Sequence, residues 1–195
     1  MVPYYKEKNC TIYNANCRDI LPSLDRFDLL LTTAPQYPAG LSDDNKARMA
    51  SGWRLAGQSN PIGMIPEAEL LMAIGLADNA IVWQPDAYKL PSGESLHWIS
   101  NKSPFCTAWH NISNPRTWCW GSTAETDRLS VMTQFIHFTP KADTILDPFM
   151  DEGDVLIAAM KLGRKFVGIE IDQQRCESAV NWLQECKKTR WWNRP

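Results

Sequence analysis

The feature that most limits the fold is a set of short apolar runs, each bounded by residues that favour turns. The runs are FDLLLT at 27–32, AIVW at 80–83, TILDPF at 144–149 and KFVGIEID at 165–172. A strand with one face in water alternates apolar and polar residues, whereas a strand covered on both faces is apolar nearly throughout. These runs therefore predict strands inside a sheet that is covered by helices on both faces.

Helical segments lie between the apolar runs. Apolar residues recur at helical spacing in 65–76, 128–138, 154–163 and 174–186. A short strand at 10–13, a helical turn at 17–24 and several short β-like pieces within 84–120 complete the pattern. Strands that alternate with helices favour a mainly parallel sheet, because a parallel connection needs a crossover. The predicted class is α/β.

Composition limits the remaining possibilities. The chain has 195 residues, of which 44% are hydrophobic, so we expect one domain spanning 1–195. The net charge of −2 gives no general attraction to nucleic acid, and any such contact must be local. Six cysteines and three histidines show no zinc-ligand spacing, so we expect no metal. The absence of a long apolar run predicts a cytoplasmic protein that has no contact with a membrane.

One turn has the position of a cofactor-binding loop and an unusual composition. LDPFMDEGDVL, at 146–156, reads as a strand end, a tight turn and a helix start. Such turns usually carry small residues, so that backbone N–H groups can meet a ligand. This turn carries Asp151, Glu152 and Asp154 around a single glycine, Gly153.

Two long segments resemble a known family. NANCRDILPSLDRFDLLLTTAPQY, at 14–37, and TILDPFMDEGDVLIAAMKLGRKFVGIEID, at 144–172, are similar to the DNA amino-methyltransferases that act on adenine N6 or cytosine N4. The order resembles the permuted β-type, in which the catalytic strand comes first and the S-adenosylmethionine (SAM) loop comes last. The resemblance implies a methyltransferase-type Rossmann fold with a mainly parallel sheet of seven strands, and SAM as the cofactor.

The family's catalytic signature, Asp-Pro-Pro-Tyr, falls on Thr33, Ala34, Pro35 and Gln36, with Tyr37 one position later. In the family the first position accepts a hydrogen bond from the target amino group, and the fourth stacks on the flipped base. Threonine has no charge and glutamine has no ring. A third family motif, His-Pro-Thr-Gln-Lys-Pro, aligns with TAETDR at 123–128 and does not match it. The resemblance therefore predicts impaired catalysis.

The resemblance also assigns cofactor positions. Asn16 and Cys17 fall beside the adenine, and Glu170 falls where the family binds the ribose hydroxyls. Asp147, Asp151 and Gly153 fall in the SAM loop, where Gly-Ser-Gly-Thr is replaced by Asp-Glu-Gly-Asp. A carboxylate about 5 Å from that of SAM costs about 3 kcal/mol at an effective dielectric near 20, or about 100-fold in affinity. We therefore expect SAM binding to be weak or absent, and we expect Asp154 to be the helix N-cap. A solvated, capped turn is the simpler explanation of the acids.

The tail KKTRWWNRP, at 187–195, combines basic and aromatic residues. Such side chains hold phosphates and stack on bases. The candidate nucleic-acid residues are Lys187, Lys188, Arg190, Trp191, Trp192 and Arg194. A frayed end whose tryptophans pack on the sheet, or a segment that docks on a partner, remain alternatives.

The sequence thus favours a catalytically degenerate methyltransferase homologue, a pseudoenzyme. Its expected role is to bind nucleic acid, DNA rather than RNA, or to support an active methyltransferase subunit or a second copy of itself. One alternative is an active SAM-dependent DNA methyltransferase with an atypical catalytic motif. Others are a decoy or inhibitor of a methyltransferase or restriction system, and a pocket that takes a different, cationic ligand. The resemblance extends to short family members in phages and mobile elements, so we expect such an origin.

Overall fold

The computed structural model describes residues 1–35, 66–85, 88–100, 106–112, 120–122, 128–139 and 141–189. The described strands are β1 Tyr5–Glu7, β2 Cys10–Asn14, β3 Phe27–Thr33, β4 Ala77–Trp83, β5 Glu94–Ser100, β6 Cys106–His110, β7 Trp120–Ser122, β8 Thr144–Asp147 and β9 Lys165–Glu170. The described helices are α1 Cys17–Ile20, α2 Glu67–Gly75, α3 Arg128–His137, α4 Asp154–Lys161 and α5 Gln173–Thr189. A short 3-10 helix, Leu21–Ser23, follows α1.

The described strands form one mixed sheet in the order β1-β2-β9-β8-β3-β4-β6-β5-β7. The five neighbours from β2 to β4 are parallel. β1 pairs antiparallel with β2, and β6 pairs antiparallel with β4 and β5. The α/β class is confirmed, but the sheet has nine described strands rather than seven, and its outer pairs are largely antiparallel. Short, polar β1 (YKE) has no apolar pattern by which the sequence could reveal it.

The central strand β3 explains the apolar runs. Leu29 and Leu31 pack on one face of the sheet, with α3, α4 and α5, whereas Leu30 packs on the other face, with α1 and α2. All three side chains are fully buried. Burial of each contributes roughly 1.5–3 kcal/mol relative to exposure. The prediction of strands covered on both faces is therefore confirmed for β3.

Asp28 fixes β3 against β8 at the edge where both strands begin. Its Oδ2 accepts hydrogen bonds from Asp143 N at 3.0 Å, from Thr144 N at 2.8 Å and from Thr144 Oγ1 at 2.7 Å. These bonds, that of the Thr144 hydroxyl above all, hold the pKa of Asp28 below its ordinary value. The two strands are thus held in register, and their opposite ends lie side by side.

Candidate functional site

The carboxyl ends of the parallel strands meet at one edge of the sheet. β2 ends at Asn14, β9 at Glu170, β8 at Asp147 and β3 at Thr33. β8 is followed by β9 on one side, and β3 is followed by β4 on the other, so the β3–β8 pair is a topological switch point. Open α/β sheets bind ligands in the crevice outside such a point. The fold therefore brings the predicted catalytic and cofactor positions of the described residues to one edge.

Asp147 lies at the floor of this edge and is almost completely buried, with 1% exposure. Its Oδ1 accepts hydrogen bonds from Thr32 Oγ1 at 2.6 Å and from Phe149 N at 3.1 Å. Burial raises the pKa of Asp147 to about 7, although the two hydrogen bonds oppose the rise. The sequence analysis missed the role of Thr32, whose signal is a hydroxyl inside an apolar run.

Glu170 holds the loop that follows β8. Its Oε2 accepts the N–H of Asp151 at 2.9 Å, and its Oε1 accepts the N–H of Asp172 at 2.8 Å. Burial raises the pKa of this carboxyl, and the two backbone bonds lower it. Both oxygens are thus engaged by the chain itself, at the position where the family resemblance predicts contacts with ribose.

Asn16 and Cys17 begin α1 beside the end of β2. Asn16 is the N-cap, and its Oδ1 accepts the N–H of Arg18 at 3.0 Å. The Cys17 side chain is buried, and desolvation raises the pKa of its thiol to about 11. Arg18 Nε donates to Oε1 of the buried Glu69 at 2.7 Å, which joins α1 to α2. Cys17 is therefore a packed thiol rather than a thiolate.

The acidic loop enters α4 through two residues with left-handed backbone. Asp151 has φ 52° and Gly153 has φ 97°. Gly153 is the N-cap of α4 and Asp154 is its first helical residue, so the prediction of Asp154 as the N-cap was wrong. Glycine adopts this conformation without the steric cost that a Cβ brings, which explains why the single glycine stands at the cap.

The acids of this loop have basic partners. Asp151 Oδ1 is 2.6 Å from Arg175 Nη1, and Asp154 Oδ2 is 3.2 Å from Arg128 Nε. A longer contact of 4.0 Å joins Arg128 Nη1 to Asp151 Oδ2. The sequence argument treated these acids as uncompensated charges that repel a carboxylate. Because two arginines offset Asp151 and Asp154, we expect much less electrostatic repulsion than that argument assumed.

At the predicted catalytic positions, the chain bonds to itself. Thr33 Oγ1 accepts a hydrogen bond from Arg128 Nη2 at 3.3 Å. Ala34 is buried and its N–H donates to Trp83 O at 2.9 Å, whereas Pro35 O accepts from the Tyr88 hydroxyl at 2.9 Å. Gln36 and Tyr37 lie outside the described residues. The importance of Arg128 was missed, although it is the last residue of the unmatched TAETDR segment.

The tail positions divide into two groups. Lys187 Nζ contacts a carboxylate oxygen of Glu7, which also accepts a hydrogen bond from the Tyr5 hydroxyl. Lys188 is exposed at the end of α5. Arg190, Trp191, Trp192 and Arg194 lie outside the described residues. Lys187 therefore ties α5 to β1, and Lys188 is the more accessible of the two lysines.

Comparison with known sequences adds a family match at this end of the chain. The sequence profile of the DNA methylase family N6_N4_Mtase matches residues 131–181, which include the acidic loop and Glu170. The chain is related to the DNA amino-methyltransferases. No curated protein matches the sequence significantly.

Solved structures of DNA methyltransferases share the fold. M1.HpyAVI in complex with SAM is 14% identical with a TM-score of 0.56, and covers 89% of this chain and 99% of its own. TTHA0409 of Thermus thermophilus, a putative DNA modification methylase complexed with SAM, is 13% identical with a TM-score of 0.60 over 89% and 93%. The cytosine-N4-specific PvuII DNA methyltransferase is 11% identical with a TM-score of 0.62 over 91% and 87%. SAM is therefore the cofactor seen with this fold in two relatives.

Among the described residues, none of the helices combines the length and the apolar character needed to cross a membrane.

Proposed function

We propose that this DNA methyltransferase relative has an impaired SAM site and acts as a binding subunit rather than as a methyl-transferring enzyme. The observation that carries the proposal is the position of Arg128. Its guanidinium contacts Thr33, at the predicted catalytic tip, and Asp154, in the predicted SAM loop. Side chains of the chain itself thus join the two parts of the edge between which a cofactor and a target base would have to meet.

The residues at this edge fit SAM and its chemistry poorly. The target amino group needs an acceptor at the catalytic position, where Thr33 supplies a hydroxyl that already accepts from Arg128. Glu170 uses both carboxylate oxygens to hold backbone N–H groups. Asp151 stands in the loop where the family has glycine, and a side chain there adds bulk where backbone should approach the ligand. The pairing of the acids moves the expected obstacle from charge repulsion to occupancy.

DNA is the nucleic acid that the family relationship favours as a binding partner. The tail supplies a basic and aromatic segment, of which Lys188 is exposed at the end of α5. A subunit that supports an active methyltransferase, or a second copy of this chain, would use the same fold without its chemistry. A decoy of a methyltransferase or restriction system would also bind without catalysis.

The reversal of the loop tests the proposal. We expect the native chain to give no saturable SAM or S-adenosylhomocysteine binding in the micromolar range, and no methyl transfer to duplex DNA. We expect the double variant Asp151→Gly, Asp154→Thr to gain affinity, by roughly tenfold or more, because it removes bulk and two of the acceptors of Arg128. Calorimetric titration of both proteins measures this.

Glycine suits the left-handed backbone of residue 151, so the reversal is compatible with the loop conformation. Micromolar SAM binding with methyl transfer by the native chain would instead identify an active enzyme with an atypical tip. If neither SAM nor DNA binds the native chain, a protein partner becomes the expected ligand.

A further inference from the structure

We infer that Arg128 is an autoinhibitory clasp, an internal contact that closes the cofactor crevice and that a single substitution can open. The inference rests on the proposed function only in placing that crevice at the carboxyl edge of β3 and β8. It adds a cause, since it assigns the closure to one basic side chain rather than to the acids of the loop.

The geometry of the guanidinium supports a clasp. Nη2 reaches Thr33 Oγ1 at 3.3 Å, Nε reaches Asp154 Oδ2 at 3.2 Å, and Nη1 lies 4.0 Å from Asp151 Oδ2. Three nitrogen atoms of one planar group therefore face three residues on opposite sides of the switch point. A guanidinium can span such a set because its donors are held in a fixed fork.

Arg175 offers a matched comparison. It has the same exposed fraction as Arg128, 49%, and it pairs with the same loop through Asp151. Its guanidinium has no contact with Thr33 among the hydrogen bonds of the described residues, and it extends from α5 rather than from α3. Both arginines offset the charge of the loop, but only Arg128 joins the loop to the catalytic tip.

The strength of the clasp makes it reversible. Ion pairs between half-exposed side chains are individually weak, because water screens them and ordering long side chains costs entropy. Three such contacts together correspond to roughly tenfold in the affinity of a ligand that must displace them. Arg128 therefore delays entry into the crevice without sealing it permanently.

Charge alone and the clasp predict opposite effects for removal of Arg128. If the arginines acted only through charge, loss of either one would leave the loop more negative and would weaken the binding of an anionic cofactor group. If Arg128 closes the crevice, Arg128→Gln increases the affinity for S-adenosylhomocysteine by roughly tenfold. Arg175→Gln leaves the affinity unchanged or lowers it under both accounts.

The experiment is a ligand-observed NMR titration of S-adenosylhomocysteine with the native chain, Arg128→Gln and Arg175→Gln, because this method reports weak binding. Thermal denaturation confirms that each variant is folded. If Arg128→Gln does not fold, Thr33→Val replaces it, since it removes the acceptor at the tip and leaves Arg128 in place. The expected gain for Thr33→Val is about threefold, because one of the three contacts is lost.

The decisive quantity is the ratio of affinities between variant and native chain. A gain confined to the clasp variants supports the inference. An affinity no higher than that of the native chain overturns it, whether both proteins bind tightly or neither binds. Tight binding by the native chain would contradict the proposed function, but the ratio would still decide the clasp.

Discussion

At the scale of the residue, the least expected group is the buried carboxyl of Asp147. Its Oδ1 accepts from Thr32 on β3 and from the backbone of Phe149 at the start of the loop. Burial raises its pKa to about 7, whereas the exposed carboxyl of an unfolded chain titrates near 3.8. The folded protein therefore holds a proton between about pH 4 and pH 7 that the unfolded chain releases.

This difference predicts a stability that falls as pH rises. The free energy of unfolding should decrease between about pH 4 and pH 7 and level off above, because proton binding favours the folded state only in that window. Asp147→Asn removes the proton and keeps an oxygen for both donors, so the variant should lack this decrease. We expect it to match the native chain near pH 4 and to exceed it by about 2–4 kcal/mol near pH 8 in urea denaturation.

Asp28→Asn is the control of opposite sign. The pKa of Asp28 is lowered in the fold, so its charge stabilises the protein above the ordinary pKa and the benefit is lost as pH falls. We expect Asp28→Asn to destabilise by about 1–3 kcal/mol at neutral pH, with the difference shrinking in acid. Equal pH profiles for the two variants would contradict both assignments.

At the scale of the element, the passage from β8 to α4 depends on Gly153. Its φ of 97° and its closeness to α5 leave little room for a side chain, since a Cβ would lie 3.1 Å from the Cβ of Ala179. The same residue sets the direction in which Asp154 enters the helix. The acids of the loop are therefore positioned by a glycine that is itself packed against the final helix.

Gly153→Ala should destabilise the protein by about 2–3 kcal/mol, because it combines an unfavourable φ with a close contact. Gly163→Ala is the matched control, since Gly163 also has a positive φ, 69°, but a Cβ there would meet nothing within 4 Å. We expect it to cost about 1–2 kcal/mol, from the backbone alone. Thermal denaturation measures both, and a larger loss at Gly163 would show that the contact with Ala179 is unimportant.

At the scale of the whole molecule, the sequence predicted what local patterns encode. FDLLLT indicated a strand covered on both faces, and the acid-rich turn indicated the edge of the site. Arg128 and Arg175 could not be placed on that turn, because each lies more than twenty residues from Asp151 and only the packing of α3 and α5 brings them there. The outer strands were partly missed because they are short or lack an alternating pattern.

The tail offers a prediction about DNA binding by the complete chain. Lys188→Ala with Arg190→Ala should weaken binding to duplex DNA and reduce the magnitude of its salt slope by about two, if both side chains contact phosphate. Lys187→Ala is the control, because Lys187 contacts Glu7 and should affect stability more than binding. Fluorescence anisotropy at several salt concentrations measures the slopes. Equal slopes in the native chain and the double variant would remove the tail from the DNA-binding account.

The central claim is that the cofactor site is impaired. Calorimetric titration of the purified native chain with SAM tests it most directly, with S-adenosylhomocysteine as a second ligand. The account predicts no saturable heat in the micromolar range for either compound. Micromolar binding of SAM by the native chain would contradict it.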